Sequence, residues 1–253
     1  MKIVIIGSGN VATHLAVQFK QVNHDIAQVF SRNIDNANAL AQKVNADPIN
    51  QIEDVDEHAD LYVISINDDA LVSLIEQFPH VNGVVVHTAG SVSINVLQRF
   101  ENYGVFYPFQ TFSKETPVEF KKVPLLIEAN SNENTAILLN LAKSLSNNVQ
   151  EASSKQRGDL HIAAVFACNF VNHMYRVAEE TLQESGLSFD LLHPLITETA
   201  NKVLNASPGM TQTGPASRND RTIIEKHLNS LESKQELRDI YQMLSECIVK
   251  RNA

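Results

Sequence analysis

Lys2-Ile3-Val4-Ile5-Ile6-Gly7-Ser8-Gly9-Asn10-Val11-Ala12 stands at the head of the chain, and its reading decides the fold. Five residues, apolar and mostly β-branched after Lys2, read as a strand buried on both faces. The run breaks into Gly7-x-Gly9-x-x-Ala12 and then into a helical spacing of apolar residues, Val11, Leu15, Ala16 and Phe19. Strand, glycine turn and helix in that order are the context in which this motif binds a dinucleotide. Gly7 permits the tight turn, Gly9 lets the backbone approach a pyrophosphate, and Ala12 is small enough for close helix–strand packing. The phosphates are expected on free N–H groups at the helix N-terminus, along Gly7, Ser8, Gly9, Asn10, Val11 and Ala12.

Working outward, residues 26–30 form a second strand that ends in Ser31-Arg32-Asn33. A carboxylate at this end would favour NAD, whereas a cation accommodates the 2′-phosphate of NADP. The first acidic residue downstream, Asp35, falls inside the next helix. Arg32 therefore points to NADP, through charge-assisted bonds of about 1.5–3 kcal/mol. The alternative is a solvated loop cation. Residues 60–66 and 84–87 are further buried strands, and their alternation with helices predicts an α/β fold, a Rossmann-type doubly wound parallel sheet. Ligands in such sheets bind beyond the carboxyl ends of the strands. Ile66, Asn67, His87 and Thr88 join the expected cofactor contacts on that ground, and Ser91 the substrate contacts.

Residues 104–108 and 123–127 read as two more strands. Between them Phe109-Gln110-Thr111-Phe112-Ser113 is aromatic, polar and uncharged, which predicts a half-buried loop; Tyr107, Gln110 and Thr111 become substrate candidates. A helix over 134–145 and a short run at Val149 close a dinucleotide-binding domain over 1–152. An all-helical substrate and dimerisation domain follows over 153–253.

On a wheel at 100° per residue, the segment 158–184 has one broad apolar face and one polar face with His161, Cys168, Asn169 and Asn172. That polar stripe reads either as the lining of a semi-buried cleft or as buried groups satisfied inside a helical interface. A loop rich in Gly, Pro and hydroxyls, residues 207–220, is long enough to be functional. Gln212, Thr213 and Arg218 are its substrate candidates. Arg218 would hold a carboxylate or phosphate bidentately, or else pair with Asp220.

Composition narrows the classes. Over 253 residues the net charge is −9 with no basic run, which argues against nucleic acid. No apolar stretch approaches the ~20 residues of a membrane span, and the leading strand leaves no room for a signal peptide. Cys168 and Cys247 lack metal-ligand spacing and are expected as buried thiols in a reducing cytoplasm. No metal is expected, and a homodimer through the helical domain is, because that half carries more apolar stripe than one packing neighbour needs.

With these pieces placed, Gly7-Ser8-Gly9-Asn10-Val11-Ala12 and Ser31-Arg32-Asn33 resemble the NADP reductases related to pyrroline-5-carboxylate reductase and deazaflavin-dependent NADP oxidoreductase. The stretches Tyr107-Pro108-Phe109-Gln110-Thr111-Phe112-Ser113, Leu160-His161 with Ala163-Ala164, and Gln212-Thr213-Gly214-Pro215 are similar to a narrower subgroup. That subgroup joins a Rossmann-like domain to the helical domain of unknown function 2520, itself 6-phosphogluconate-dehydrogenase-like. The resemblance implies this fold, NADP as cofactor and an oxidoreductase activity. Hydroxyacid dehydrogenases of the wider superfamily place a Lys and an Asn one turn apart on the first helix of that domain. Asn169 matches the Asn, but Val165 stands where the Lys would be.

His161 is the titratable group nearby, and imidazole suits proton transfer near neutrality; the alternative is a structural histidine. At 1.5 Å rise per residue His161 and Asn169 lie about 12 Å apart, so only one of these two catalytic candidates can stand at the reacting carbon. The expected function is an NADP-dependent reductase or dehydrogenase for a small C=O or C=N substrate. The competing expectation is an NADP-binding sensor or partner-binding protein without turnover.

Overall fold

The computed structural model describes residues 1–252. The chain divides into two units, Met1–Val165 and the residues from Phe166 onward. The first carries β1 (Lys2–Ile6), α1 (Asn10–Gln21), β2 (Asp25–Phe30), α2 (Ile34–Val44), β3 (Asp47–Ile49), β4 (Leu61–Ile64), α3 (Asp68–Gln77) and β5 (Val84–His87). It continues through β6 (Tyr103–Pro108), β7 (Leu125–Ala129), α4 (Asn132–Leu145), β8 (Val149–Glu151) and α5 (Ser154–Ala164). These strands make one sheet in the order β3-β2-β1-β4-β5-β6-β7-β8. All neighbours are parallel except β6 and β7. The doubly wound architecture is as expected, and the order reverses direction between β1 and β4, where such sheets open a crevice for ligands.

Alternation builds two apolar layers, one on each face. Ile3 and Ile5 of β1, with Leu61 and Val63 of β4, pack with Leu15 and Phe19 of α1 and Leu138 of α4. Val4, Ile6, Tyr62 and Ile64 point the other way, toward Leu71 and Ile75 of α3. Helix α5 groups with this unit.

The second unit is helical: α6 (Phe170–Glu184), α7 (His193–Asn205), the one-turn α8 (Pro208–Thr211), α9 (Arg221–Ser230) and α10 (Gln235–Asn252). Its internal ties include a Lys234–Glu184 ion pair and a 2.8 Å bond between His227 Nδ1 and Tyr241 Oη. Two readings of the sequence are corrected here. Cys168 and Cys247 are exposed rather than buried, because the faces that carry them have nothing packed over them within one chain. The uniform wheel over 158–184 also fails, since Val165–Asn169 is a π-turn whose i→i+5 bonds widen the spiral.

Candidate functional site

The Gly7–Ala12 turn has the conformation its residues imply. Gly7 sits at φ 122°, and a Cβ there would fall 2.0 Å from the Ser65 carbonyl oxygen. Gly9 is different: its backbone is ordinary, and a Cβ built on it meets nothing within 4 Å, so the missing side chain leaves open space above the turn. Ala12 is fully buried against the sheet. Helix α1 has no side-chain cap and no acidic residue in its first turn. Its first intrahelical bond is Thr13 N–H to the Gly9 carbonyl, which leaves the N–H groups of Asn10, Val11 and Ala12 without helical acceptors. An open cradle of unsatisfied N–H groups at the positive end of a helix fits a diphosphate.

The Asn10 side chain is already engaged, donating to the Phe112 carbonyl at 2.9 Å, while a His14 ring nitrogen meets the Ser113 carbonyl at 2.9 Å. The loop after β6 is therefore half buried against α1, as its composition implied. Ser8 Oγ donates to Ser31 Oγ at 3.1 Å and ties the β1 and β2 loops together. Arg32 is exposed and makes no ion pair among the described residues. Asn33 caps α2 by accepting from Asp35 N–H. Asn67 starts α3 with its side chain free of any cap bond, and Ile66 is half buried.

A second cluster gathers at the carboxyl ends of β5 and β6. Tyr107 Oη and His161 Nδ1 are 3.2 Å apart. Gly90 lies against both: a Cβ there would be 2.7 Å from Tyr107 Oη and 2.8 Å from His161 Nδ1. Burial pushes the Tyr107 phenol above its ordinary pKa. Ser91 Oγ donates to Asp68 at 2.6 Å. Gln110 and Thr111 are exposed and bond only each other, so they are not drawn into this cluster.

The His87 ring does not line a ligand surface as expected. It has no exposed surface; Nδ1 accepts from Ala89 N–H at 3.2 Å, and Nε2 has no protein partner. Burial first, and the Arg157 guanidinium second, push its pKa down to about 4.

Sequence reasoning missed Arg157. It is wholly buried, pairs with Glu128 at 2.6 Å, and donates to the Ala89 and Val92 carbonyls and to Ser154 Oγ. These bonds lock the loop after β5 to α5 and so set where His161, one turn later on the same helix, meets Tyr107. No local signal announces a buried arginine whose partner lies on another strand.

The remaining candidates belong to the second unit. Asn169 is exposed. Gln212 is exposed and donates to the Thr213 carbonyl. Arg218 is exposed, and its suggested pairing with Asp220 is not formed: Asp220 instead caps α9 by accepting from Ile223 N–H.

A hollow of about 1140 Å³ opens at the amino ends of the strands beside Met1, His24, Asp60 and Asn102. It is a broad recess without the free helix N-terminus or the Tyr–His pair, both of which lie at the carboxyl ends of the strands. No cluster of metal-ligating side chains occurs among the described residues, and no helix there is long and apolar enough to cross a membrane.

The model of a Rossmann-like domain matches residues 1–109, and that of a domain of unknown function, DUF2520, matches residues 123–248. A Bacteroides fragilis protein, provisionally named an NADP oxidoreductase, is 44% identical over 98% of both chains with a TM-score of 0.91. A reductive aminase from Aspergillus terreus, solved with NADPH and ethyl-5-oxohexanoate, is 17% identical over 98% of this chain and 93% of its own, with a TM-score of 0.74. A 1-pyrroline-5-carboxylate reductase from Streptococcus pyogenes is 16% identical over 100% and 98%, with a TM-score of 0.65. At such identities the last two establish likeness of fold. No protein of curated function matches the sequence.

Proposed function

Because the chain belongs to the family that joins a Rossmann-like domain to DUF2520, we propose that it is an NADP-dependent reductase for a small C=O or C=N substrate. One observation carries the reading: a free helix N-terminus and a tyrosine–histidine pair stand along the same edge of one sheet. The N–H groups of the Gly7–Ala12 turn hold the diphosphate, and Arg32 holds the 2′-phosphate. NADPH, where bound, contributes the hydride. His161 gives a proton from Nε2 to the oxygen or nitrogen whose carbon is being reduced, and it is reprotonated from solvent.

The working form is a homodimer. In the second unit Phe166 is 64% exposed, Phe170 50%, Leu204 80% and Met210 85%, apolar side chains that a second copy would cover.

The decisive assay follows NADPH oxidation with a panel of keto acids and cyclic imines. One of them should turn over, and His161→Ala should lower that turnover by roughly a hundredfold to ten-thousandfold with NADPH affinity unchanged. If nothing in either class is reduced, the chain is a nucleotide-binding sensor and the reductase reading falls.

A further inference from the structure

We infer that Tyr107 is a positioning residue for His161, its hydroxyl holding Nδ1 so that Nε2 is the ring atom left to exchange a proton with a ligand. Geometry supplies the argument. Tyr107 Oη has one partner among the described residues, His161 Nδ1, at 3.2 Å. His161 Nε2 has none, yet it is not among the buried unsatisfied atoms of this half-buried ring, so it reaches solvent.

A phenol is both donor and acceptor. Toward the neutral ring its O–H donates to Nδ1, which fixes the single ring proton on Nε2. Toward the imidazolium its oxygen accepts from Nδ1–H. In both states the ring keeps one orientation and Nε2–H faces outward. When Nε2–H leaves the imidazolium, its bonding electrons remain on nitrogen and the ring is neutral, for that moment as the Nδ1–H tautomer bonded to Tyr107; solvent then returns a proton to Nε2, and the resting neutral ring is the Nε2–H form in which Tyr107 donates to Nδ1. Phenol burial keeps Tyr107 protonated throughout.

Gly90 makes the pair possible. Any larger residue would put its Cβ inside contact distance of both polar atoms, and these are anchored: Tyr107 on β6, His161 on a helix tied down by Arg157. The charged groups around the pair are that guanidinium, itself neutralised by Glu128, and the Asp68 carboxylate, which is bonded to Ser91.

The inference rests on the reductase reading only for what Nε2 does; how the ring is held is tested without any cofactor. The measurement is ¹⁵N NMR of the ligand-free protein labelled at histidine, with the His161 signals assigned by their loss in His161→Gln. In its neutral form the wild-type ring should carry its proton on Nε2 and show a hydrogen-bonded, unprotonated Nδ1. Tyr107→Phe should move Nδ1 to the position of a free acceptor, and Gly90→Ala should move it the same way while the circular dichroism stays native. In the turnover assay Tyr107→Phe should lower kcat at least tenfold with NADPH affinity within twofold. A wild-type ring with its proton on Nδ1, or an Nδ1 signal that ignores Tyr107→Phe, overturns the inference. If the NMR results hold and no substrate is reduced, the positioning stands and the reductase reading alone fails.

Discussion

The two units of this chain solve the burial problem in different ways. In Met1–Val165 every residue from Ile3 to Ile6 is sealed, and apolar layers cover both faces of the sheet. In the unit that follows, only Ala216 and Ser245 are buried among the described residues, while aromatic and aliphatic side chains stand open. A doubly wound sheet supplies its own lid of helices, because each crossover returns over the strands it connects. A run of amphipathic helices has no such closure and needs an outside surface to complete its packing. The difference separates a half that seals its own apolar faces from one that leaves them open.

The contrast breaks most sharply at the open faces. If a second copy covers them, light scattering gives a dimer mass at micromolar concentration. Phe170→Glu should then weaken it by about 3–6 kcal/mol, since a buried phenylalanine is worth about 1.5–3 kcal/mol and a twofold interface contains it twice. A monomer of unchanged stability in both proteins would make the second unit self-sufficient after all.

The sealed half should fail at a polar point rather than an apolar one. Arg157→Met leaves Glu128 without its charged partner and should lower the urea stability of that unit by about 3–5 kcal/mol. Replacing both residues with apolar ones should recover most of the loss. A double variant as unstable as the single one would mean that the carbonyls of Ala89 and Val92 matter more than the ion pair.

Acid sharpens the comparison further. Buried His87 is neutral in the fold, with its pKa held near 4 against an ordinary 6.5. Its contribution is therefore complete above pH 6.5 and lost as pH falls toward 4, by roughly 3 kcal/mol in all. Urea titrations across that window should show the slope in the wild type and its loss in His87→Leu.

The smallest effect concerns cofactor choice, which the sheet unit should decide alone. NADPH should bind more tightly than NADH, and Arg32→Ala should erase a preference of roughly tenfold to hundredfold. Equal affinities before mutation would remove Arg32 from the site.

What could be read in advance divides along physical lines. β1, its glycine turn and α1 are encoded locally, by side-chain spacing and by a backbone angle only glycine tolerates well, so the sequence announces them. Tyr107 and His161 were each visible as candidates, but their meeting was not, because 54 residues of chain separate them. His87 was assigned to a ligand surface because it ends a strand. Only the fold reveals that the loop from Ala89 to Val92, pinned by Arg157, closes over that end. The π-turn at Val165–Asn169 likewise has no periodic signature, since a wheel assumes the regularity that such a turn breaks.

The engagement of Asn10 with the loop after β6 has one more consequence. With that amide committed to Phe112, the diphosphate cradle consists almost wholly of peptide N–H groups, which every residue but proline possesses. Such a surface is written in shape rather than in residue identity. Point substitution can destroy it at Gly7 but has little means of retuning it. On the proposed reading, divergence among descendants of this chain is thus channelled away from the cradle and toward Arg32, where a single exchange would change which nucleotide is preferred.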